Sequence, residues 1–207
     1  MKITTVKMGP MKNNCYIVTD EKTGDTAVID PSFKSHILAK EIEPLKDQIK
    51  YILLTHRHFD HLLGAAYIRE LTGAKAAIHR LDKEGLSDPD ISRATKSGGM
   101  PPDAQKCFDA DILLEDGGVL TMGETVITAM HTPGHTEGSV CYIIGDSLFS
   151  GDTLFRECIG RCDLPTGNFE RMKESLAKIK ALPVTNIYPG HEEATTLDHE
   201  LKYNTYM

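Results

Sequence analysis

Short apolar runs bounded by turn residues recur along the chain, and this pattern predicts β-strands. The run Tyr-Ile-Leu-Leu at 51–54 is entirely apolar, which is typical of a buried strand. Between residues 111 and 149 such runs follow one another closely and include 126–130 and 140–149. The other predicted strands cover residues 3–8, 15–20, 26–29, 74–78 and 184–188.

Longer segments with apolar residues at helical spacing predict helices. Ser35 can cap the first of them and Gly73 can end the second. Residues 87–110 are rich in Asp, Gly, Ser and Pro, which predicts a loop-rich connection that can include a short helix over the site. The predicted helices cover residues 35–46, 62–72, 169–181 and 195–202. Strands followed by helices, twice over, predict an α/β sandwich with its helices on the outside.

The composition agrees with an ordinary globular enzyme and argues against several partners. With 207 residues and 40% hydrophobic content, the chain is predicted to form one domain over residues 1–207. A net charge of −7 without a basic stripe argues against nucleic acid. The N-terminus lacks the apolar stretch of a secretory signal, and no run reaches the roughly 20 apolar residues of a membrane span. We therefore predict a cytoplasmic protein without a membrane partner.

The cysteines support the same compartment. There are five of them, an odd number without CxxC spacing, which is more typical of free thiols than of a disulfide framework. Cys158 and Cys162 are the only close pair. We interpret them as two free loop thiols, and a metal-binding or redox role is the alternative.

The strongest chemical signal is the segment Thr-His-Arg-His-Phe-Asp-His at 55–61, directly after a predicted buried strand. Three imidazoles and one carboxylate so close together predict a metal site, because these groups suit Zn²⁺ and its first-row neighbours. A strand-to-helix turn within the segment can divide the donors, so that one metal takes His56 and His58 and a second takes Asp60 and His61. Two metals require further ligands from elsewhere in the chain.

Three later segments can supply these ligands. Each follows an apolar, strand-like run and carries one His or Asp beside a glycine that permits a tight turn. They are Thr-Pro-Gly-His at 132–135, Ser-Gly-Asp at 150–152 and Pro-Gly-His at 189–191. Loops that follow strands meet at the same edge of an open α/β sheet, so we expect His135, Asp152 and His191 to join the first segment there.

Together these segments resemble the metallo-β-lactamase superfamily, from about residue 15 to the C-terminus. The resemblance implies a four-layer αββα sandwich with a dinuclear metal site. It implies a first metal bound by His56, His58 and His135, a second bound by Asp60, His61 and His191, and Asp152 as a bridge between them. The implied cofactors are two divalent cations, Zn²⁺ first, with Fe and Mn as alternatives.

Within this superfamily, three motifs are similar to glyoxalase II (hydroxyacylglutathione hydrolase). They are Gly-Asp-Thr-Leu-Phe at 151–155, Ile-Gly-Arg at 159–161 and Pro-Gly-His at 189–191. Sixteen residues follow His191 in the 207-residue chain. The similarity is therefore to short glyoxalase II-like proteins that lack the C-terminal helical domain.

The resemblance implies a metal-dependent thioesterase that acts on a small molecule such as a hydroxyacylglutathione. Its nucleophile would be a hydroxide that bridges the two metals, with Asp60 and Asp152 as the catalytic carboxylates. A thiolate, whose parent thiol has a pKa of about 8.5, departs without obligatory protonation. Arg161 lies where the family carries a basic residue that meets a substrate carboxylate, and a surface ion pair is its alternative role.

Other activities are compatible with the same residues. Mononuclear iron persulfide dioxygenases share this fold and the first-site ligands, but they oxidise their substrate. Hydrolysis of a different ester or of a phosphodiester is a second alternative, and a non-catalytic metal-binding module is a third. The acyl group, the thiol carrier and the oligomeric state do not follow from the sequence.

Overall fold

Two six-stranded sheets form the centre of the computed structural model, which describes residues 1–9, 11–96 and 104–207. In chain order the strands are β1 (Lys2–Met8), β2 (Asn13–Thr19), β3 (Thr26–Ile29), β4 (Ile49–Leu53), β5 (Lys75–His79), β6 (Ile112–Leu114), β7 (Gly118–Met122), β8 (Thr125–His131), β9 (Val140–Ile144), β10 (Ser147–Gly151), β11 (Leu154–Phe155), β12 (Cys158–Ile159), β13 (Asn186–Pro189) and β14 (Thr195–Thr196). The α-helices are α1 (His36–Ile42), α2 (Phe59–Leu62), α3 (Ala65–Thr72), α4 (Phe169–Lys180) and α5 (Leu197–Tyr203).

The first sheet has the order β1-β2-β3-β4-β5-β6, and the second has the order β14-β13-β10-β9-β8-β7. In the first sheet β1, β2 and β3 pair antiparallel, whereas β3 to β6 are parallel. Strands that are buried on both faces have continuous apolar runs in the sequence, and the side chains of β4 show the reason. Ile52 packs towards the helices and Leu53 towards the second sheet, since successive side chains point to opposite faces.

Three hydrophobic cores separate four layers. One core joins α1 and α3 to the outer face of the first sheet, through residues such as Leu38, Ile68 and Ile78. A second lies between the two sheets, and a third joins the second sheet to α4 and α5. The order helix, sheet, sheet, helix confirms the predicted α/β sandwich of the metallo-β-lactamase type. None of the helices in the described ranges is long and apolar enough to cross a membrane.

The cap predicted at Ser35 and the stop predicted at Gly73 are confirmed, but two predicted helices are interrupted. Ser35 caps α1 by accepting from the Leu38 backbone N–H at 3.1 Å, and Gly73 ends α3 in the left-handed conformation. The helix predicted over 35–46 changes to a 3₁₀ turn after Ile42, because Pro44 cannot donate an α-helical hydrogen bond. The helix predicted over 62–72 is two helices that meet at Gly64, where a Cβ would collide with the carbonyl oxygen of Pro31.

Two further predictions need correction, and one hairpin was not predicted. The strand predicted over 140–149 is the hairpin β9–β10, with a left-handed turn at Gly145. The helix predicted from 195 begins two residues later, because 195–196 pair with β13 before Thr196 caps α5. The hairpin β11–β12 was not predicted, since its strands are only two residues long. Residues 97–103 of the predicted loop lie outside the described residues, and two 3₁₀ turns precede them, at Lys83–Leu86 and Ala94–Lys96.

Candidate metal centre

The loops that follow β4, β8, β10 and β13 meet at one edge of the sandwich, as predicted from the strand-and-loop pattern. Within the 55–61 segment His58 has an extended backbone and α2 begins at the next residue, which is the expected strand-to-helix turn. The structure brings all seven predicted donors together there: His56, His58, Asp60, His61, His135, Asp152 and His191.

The first group of donors consists of His56, His58 and His135, whose ligand atoms lie within 4.8 Å of one another. The Nδ1 atom of His58 is 2.8 Å from the Nε2 atom of His135. All three rings are buried, with edge-to-face contacts among them. Three imidazoles whose ligand atoms lie this close together form a typical Zn²⁺-binding arrangement.

The second group consists of Asp60, His61 and His191, again within 4.8 Å of one another. The Oδ2 atom of Asp60 is 3.6 Å from the Nε2 atom of His61 and 3.4 Å from that of His191. This group is less enclosed, because the His191 side chain is 18% exposed. The second group therefore lies nearer to solvent than the first.

Asp152 lies between the two groups. Its Oδ1 atom is 3.3 Å from the Nε2 atom of His61. Its Oδ2 atom is 3.5 Å from the Nε2 atom of His135 and 3.6 Å from that of His191. One carboxylate thus faces both groups with its two oxygens, which is the arrangement that the bridging role requires.

Unpaired buried atoms indicate that these groups fit cations. Among the described residues, the Nε2 atoms of His56 and His61 and the Oδ1 atom of Asp152 are buried without a hydrogen-bond partner. Burying a polar atom without a partner is costly, so such atoms are expected to serve a ligand. The donor set of imidazole and carboxylate suits Zn²⁺, Fe²⁺ and Mn²⁺.

The two groups differ electrostatically. Burial and the neighbouring His61 hold the pKa of His56 well below its usual value. Burial also opposes the charged form of His61, but the carboxylates of Asp152, Asp60 and Asp30 outweigh it and raise the pKa of His61 well above its usual value. Burial therefore favours the neutral form of His56 in the first group, whereas carboxylates dominate around His61 in the second.

Four of the histidines are held by hydrogen bonds from their Nδ1 atoms, which leaves Nε2 facing the centre. His56 contacts the Thr55 hydroxyl at 3.1 Å, and His61 contacts the Asp30 carboxylate at 2.9 Å. His135 donates to the Arg161 carbonyl at 2.7 Å, and His191 donates to the carbonyl of residue 11 at 3.1 Å. Such outer contacts select the tautomer and orient each ring for a ligand role.

Asp30, at the end of β3, is a site residue that sequence reasoning missed. It accepts from the Thr55 backbone N–H at 2.8 Å, the Thr55 hydroxyl at 2.6 Å and the His61 ring at 2.9 Å. Its backbone has a φ of 48°, which is unusual for a residue other than glycine. Asp30 follows an apolar strand, as do Asp152 and His191, and this position in the sequence could have marked it as a candidate site residue.

Replacing Asp30 with asparagine is expected to weaken metal binding and turnover by about 10–100-fold, the usual cost of losing a carboxylate behind a ligand histidine. The amide can keep the shape of the side chain, but it provides only one acceptor where the carboxylate provides two. Elemental analysis after dialysis against a weak chelator measures the loss. Wild-type metal content in the variant would show that the His61 ring needs no carboxylate behind it.

Asp82, also missed, fixes the backbone on both sides of the first group. Its Oδ2 atom accepts from the Arg57 backbone N–H at 2.9 Å and from the Thr136 hydroxyl at 2.6 Å. Its Oδ1 atom accepts from the Gly138 N–H at 3.1 Å. Burial raises the pKa of this carboxyl group. Asp82 thus ties the motif at 55–61 to the turn that carries His135.

Close backbone approach explains why Gly190 precedes His191. A Cβ at this position would lie 2.6 Å from Cε1 of His61 and would collide with Oδ1 of Asp152. The Gly190 N–H donates to the carbonyl of Gly151 at 2.8 Å, so the two ligand-bearing loops are joined directly. Glycine is required here because the space between the donors is too small for a Cβ atom.

Arg161 does not point its guanidinium at the donors. Its side chain is 62% exposed and forms a two-point ion pair with Asp163, with both N···O distances at 2.7 Å. This contact is the surface ion pair weighed as the alternative role, and contact with a substrate carboxylate stays a prediction. Cys158 is exposed and Cys162 half-buried, both are free thiols, and neither belongs to a candidate metal group of the described residues.

Two groups of candidate metal ligands at the edge of an αββα sandwich define the class of this protein. The sequence profile of the Metallo-beta-lactamase superfamily matches residues 8–191. The chain therefore belongs to the metallo-β-lactamase superfamily, which confirms the family prediction.

Relatives are similar over nearly their whole length. An uncharacterized protein of Aquifex aeolicus is 33% identical over 100% of this chain and 97% of its own. The "Probable metallo-hydrolase YqgX" of Bacillus subtilis is 32% identical over 100% of this chain and 98% of its own. The "Probable polyketide biosynthesis zinc-dependent hydrolase PksB" of the same organism is 28% identical over 96% of this chain and 84% of its own.

Solved structures show the same fold. The BLEG-1 B3 metallo-beta-lactamase superposes with a TM-score of 0.91 at 30% identity and covers 99% of both chains. TTHA1623, solved in a di-iron-bound form, superposes with a TM-score of 0.84 at 29% identity, over 99% of this chain and 100% of its own.

Proposed function

We propose that this protein is a metal-dependent hydrolase that cleaves the thioester of a small molecule, such as a hydroxyacylglutathione. The observation that carries the proposal is Asp152, whose two oxygens face two separate groups of donors. An arrangement of this kind serves to hold two cations near each other, and paired cations are typical of hydrolases. The first group supplies His56, His58 and His135, and the second supplies Asp60, His61 and His191.

The relatives support hydrolysis, but their descriptions name different metals. YqgX is described as a probable metallo-hydrolase and PksB as a probable zinc-dependent hydrolase. TTHA1623, in contrast, holds two iron ions in its solved structure. We propose Zn²⁺ for this chain because three imidazoles form the first group, with iron as the alternative cation.

Bound divalent cations polarise a carbonyl oxygen and make water acidic enough to ionise near neutral pH. The residues of this chain hold and orient the donors for that chemistry. Asp30 and Thr55 fix the rings of His61 and His56. Asp60 and Asp152 both face histidine nitrogens, so both carboxylates are committed as donors and neither is placed to deliver a proton to a leaving group. A thioester suits this arrangement because a thiolate departs unprotonated.

Arg161 is proposed to meet a carboxylate of the substrate at the rim of the site. Its backbone carbonyl accepts from the ligand candidate His135, so the residue lies close to the donors. Its guanidinium is paired with Asp163 at the surface, and exposed ion pairs contribute little free energy. A substrate carboxylate can therefore replace Asp163 at small cost.

The test is hydrolysis of a panel of glutathione and coenzyme A thioesters by zinc-loaded and iron-loaded protein. We expect thiol release from at least one thioester, and slower cleavage of the matching oxygen ester. Metal-free protein is the control for background hydrolysis. If intact, metal-loaded protein cleaves none of these thioesters, the proposed substrate class is wrong.

Persulfide oxidation is the second candidate. His56, His61 and Asp152 also form a group of two imidazoles and one carboxylate within 4.8 Å, and this ligand type is used by non-haem iron oxygenases. Iron-loaded protein given glutathione persulfide would then consume oxygen without releasing thiol from thioesters. Oxygen uptake with the persulfide, measured beside thiol release from the thioesters, separates the two activities. The same panel, extended to phosphodiesters, covers the remaining hydrolytic alternatives.

A further inference from the structure

Asn13, the first residue of β2, lies against the second group of donors. Its side chain is fully buried. The amide Nδ2 donates to Oδ2 of Asp60 at 2.9 Å and lies 3.4 Å from Nε2 of His191. Oδ2 is the same atom of Asp60 that faces His61 and His191. The amide therefore contacts a candidate ligand atom itself.

The orientation of this amide follows from the chemistry of its neighbour. A carboxylate only accepts hydrogen bonds, so the Asn13 side chain must present its N–H group to Asp60. The Oδ1 atom of Asn13 is then buried without a hydrogen-bond partner among the described residues. A buried unpaired amide oxygen is costly and calls for an explanation. The hydrogen bond from the Asn13 nitrogen to Asp60 is what accounts for an asparagine in this buried place.

The backbone around Asn13 joins the two sheets at the second group. The carbonyl of Met11 accepts from the His191 ring at 3.1 Å. The Asn14 side chain donates to the carbonyl of Pro189 at 3.0 Å, and the Tyr16 hydroxyl donates to the same carbonyl at 2.6 Å. Residues 11–16 cover the start of β2 in the first sheet and the turn before it, whereas the loop with His191 follows β13 of the second sheet. This junction holds Asn13 in a defined position between Asp60 and His191.

We infer that Asn13 is a positioning residue for the second cation position, where it holds the Asp60 carboxylate towards His191. The inference rests on the proposed two-cation function. Both contacts of the amide nitrogen are made with the second group, whereas the first group is held by Asp82 and by the Arg161 carbonyl. Asn13 therefore sets the affinity of the second position independently of the first.

The experiment compares wild type with Asn13→Ala and Asn13→Leu, the second of which preserves side-chain volume without the hydrogen-bond donor. Each metal-free, full-length protein is titrated with Zn²⁺ against a chromophoric chelator, and thermal unfolding checks that each is folded. We expect two Zn²⁺ per chain in wild type. In both variants the first binding step stays unchanged, and the second weakens by about 10–100-fold, as for other residues that orient a ligand.

Asn186→Ala is the matched control, because it removes an amide that contacts Asp146 at the opposite end of β13. Both of its binding steps should equal those of wild type. Folded Asn13→Leu protein with two wild-type binding steps would overturn the inference, and so would equal weakening of both steps. A wild type that binds fewer than two Zn²⁺ would instead contradict the proposed function, so the two failures can be told apart.

Discussion

Asp152→Asn is expected to lower kcat/KM for thioester hydrolysis by about 10³-fold, which corresponds to roughly 4 kcal/mol of lost transition-state stabilisation. The physical reason is that Asp152 faces both groups of donors, through Oδ1 towards His61 and Oδ2 towards His135 and His191. Asparagine keeps the volume but replaces one anionic oxygen with a donor that cannot bind a cation. We therefore expect a drop in metal content as well as in turnover.

Steady-state kinetics and elemental analysis of the same preparations measure both effects. Asp146→Asn is a matched control, because Asp146 lies in the turn that precedes β10, whereas Asp152 follows the same strand. This control should keep the activity and metal content of wild type. An Asp152→Asn protein with wild-type turnover would exclude a role for this carboxylate between the two groups.

Removal of the metal is expected to lower the melting temperature by about 10 °C. Ligand binding at about 1,000 times the dissociation constant stabilises a protein by about 4 kcal/mol, and a chain of this size loses roughly 2–4 °C per kcal/mol. The structural reason is the set of buried donors without partners, including Nε2 of His56 and of His61. In the metal-free protein these atoms stay buried with neither a hydrogen-bond partner nor a cation, which lowers the free energy of unfolding.

Differential scanning calorimetry of chelator-stripped and zinc-reconstituted protein measures the difference. The Asp152→Asn variant should show a much smaller shift, because it binds the cations less tightly. Asp146→Asn should show the full shift. Equal melting temperatures for stripped and reconstituted wild type, with the metal contents verified, would mean that the donors bind no cation strongly.

Local patterns were sufficient for most of the fold. Apolar runs marked the central strands because strands buried on both faces need apolar side chains at every position. The cap at Ser35 and the stop at Gly73 were found because these signals act within one helical turn. The break at Gly64 was missed because it involves the Pro31 carbonyl, which tertiary packing brings close and which accepts from the Gly64 N–H at 2.7 Å. The hairpin β11–β12 was missed because two-residue strands have no measurable period.

The sequence by itself determined the family and the set of candidate donors, because imidazole and carboxylate side chains can be recognised by their chemistry and by their place after apolar strands. Only the tertiary structure decided which residues hold those donors. Asp30 meets His61 across 31 positions, Asn13 meets Asp60 across 47, and the Arg161 carbonyl meets His135 across 26. Such contacts follow no local period, since they depend on how two sheets pack and where their edge loops converge.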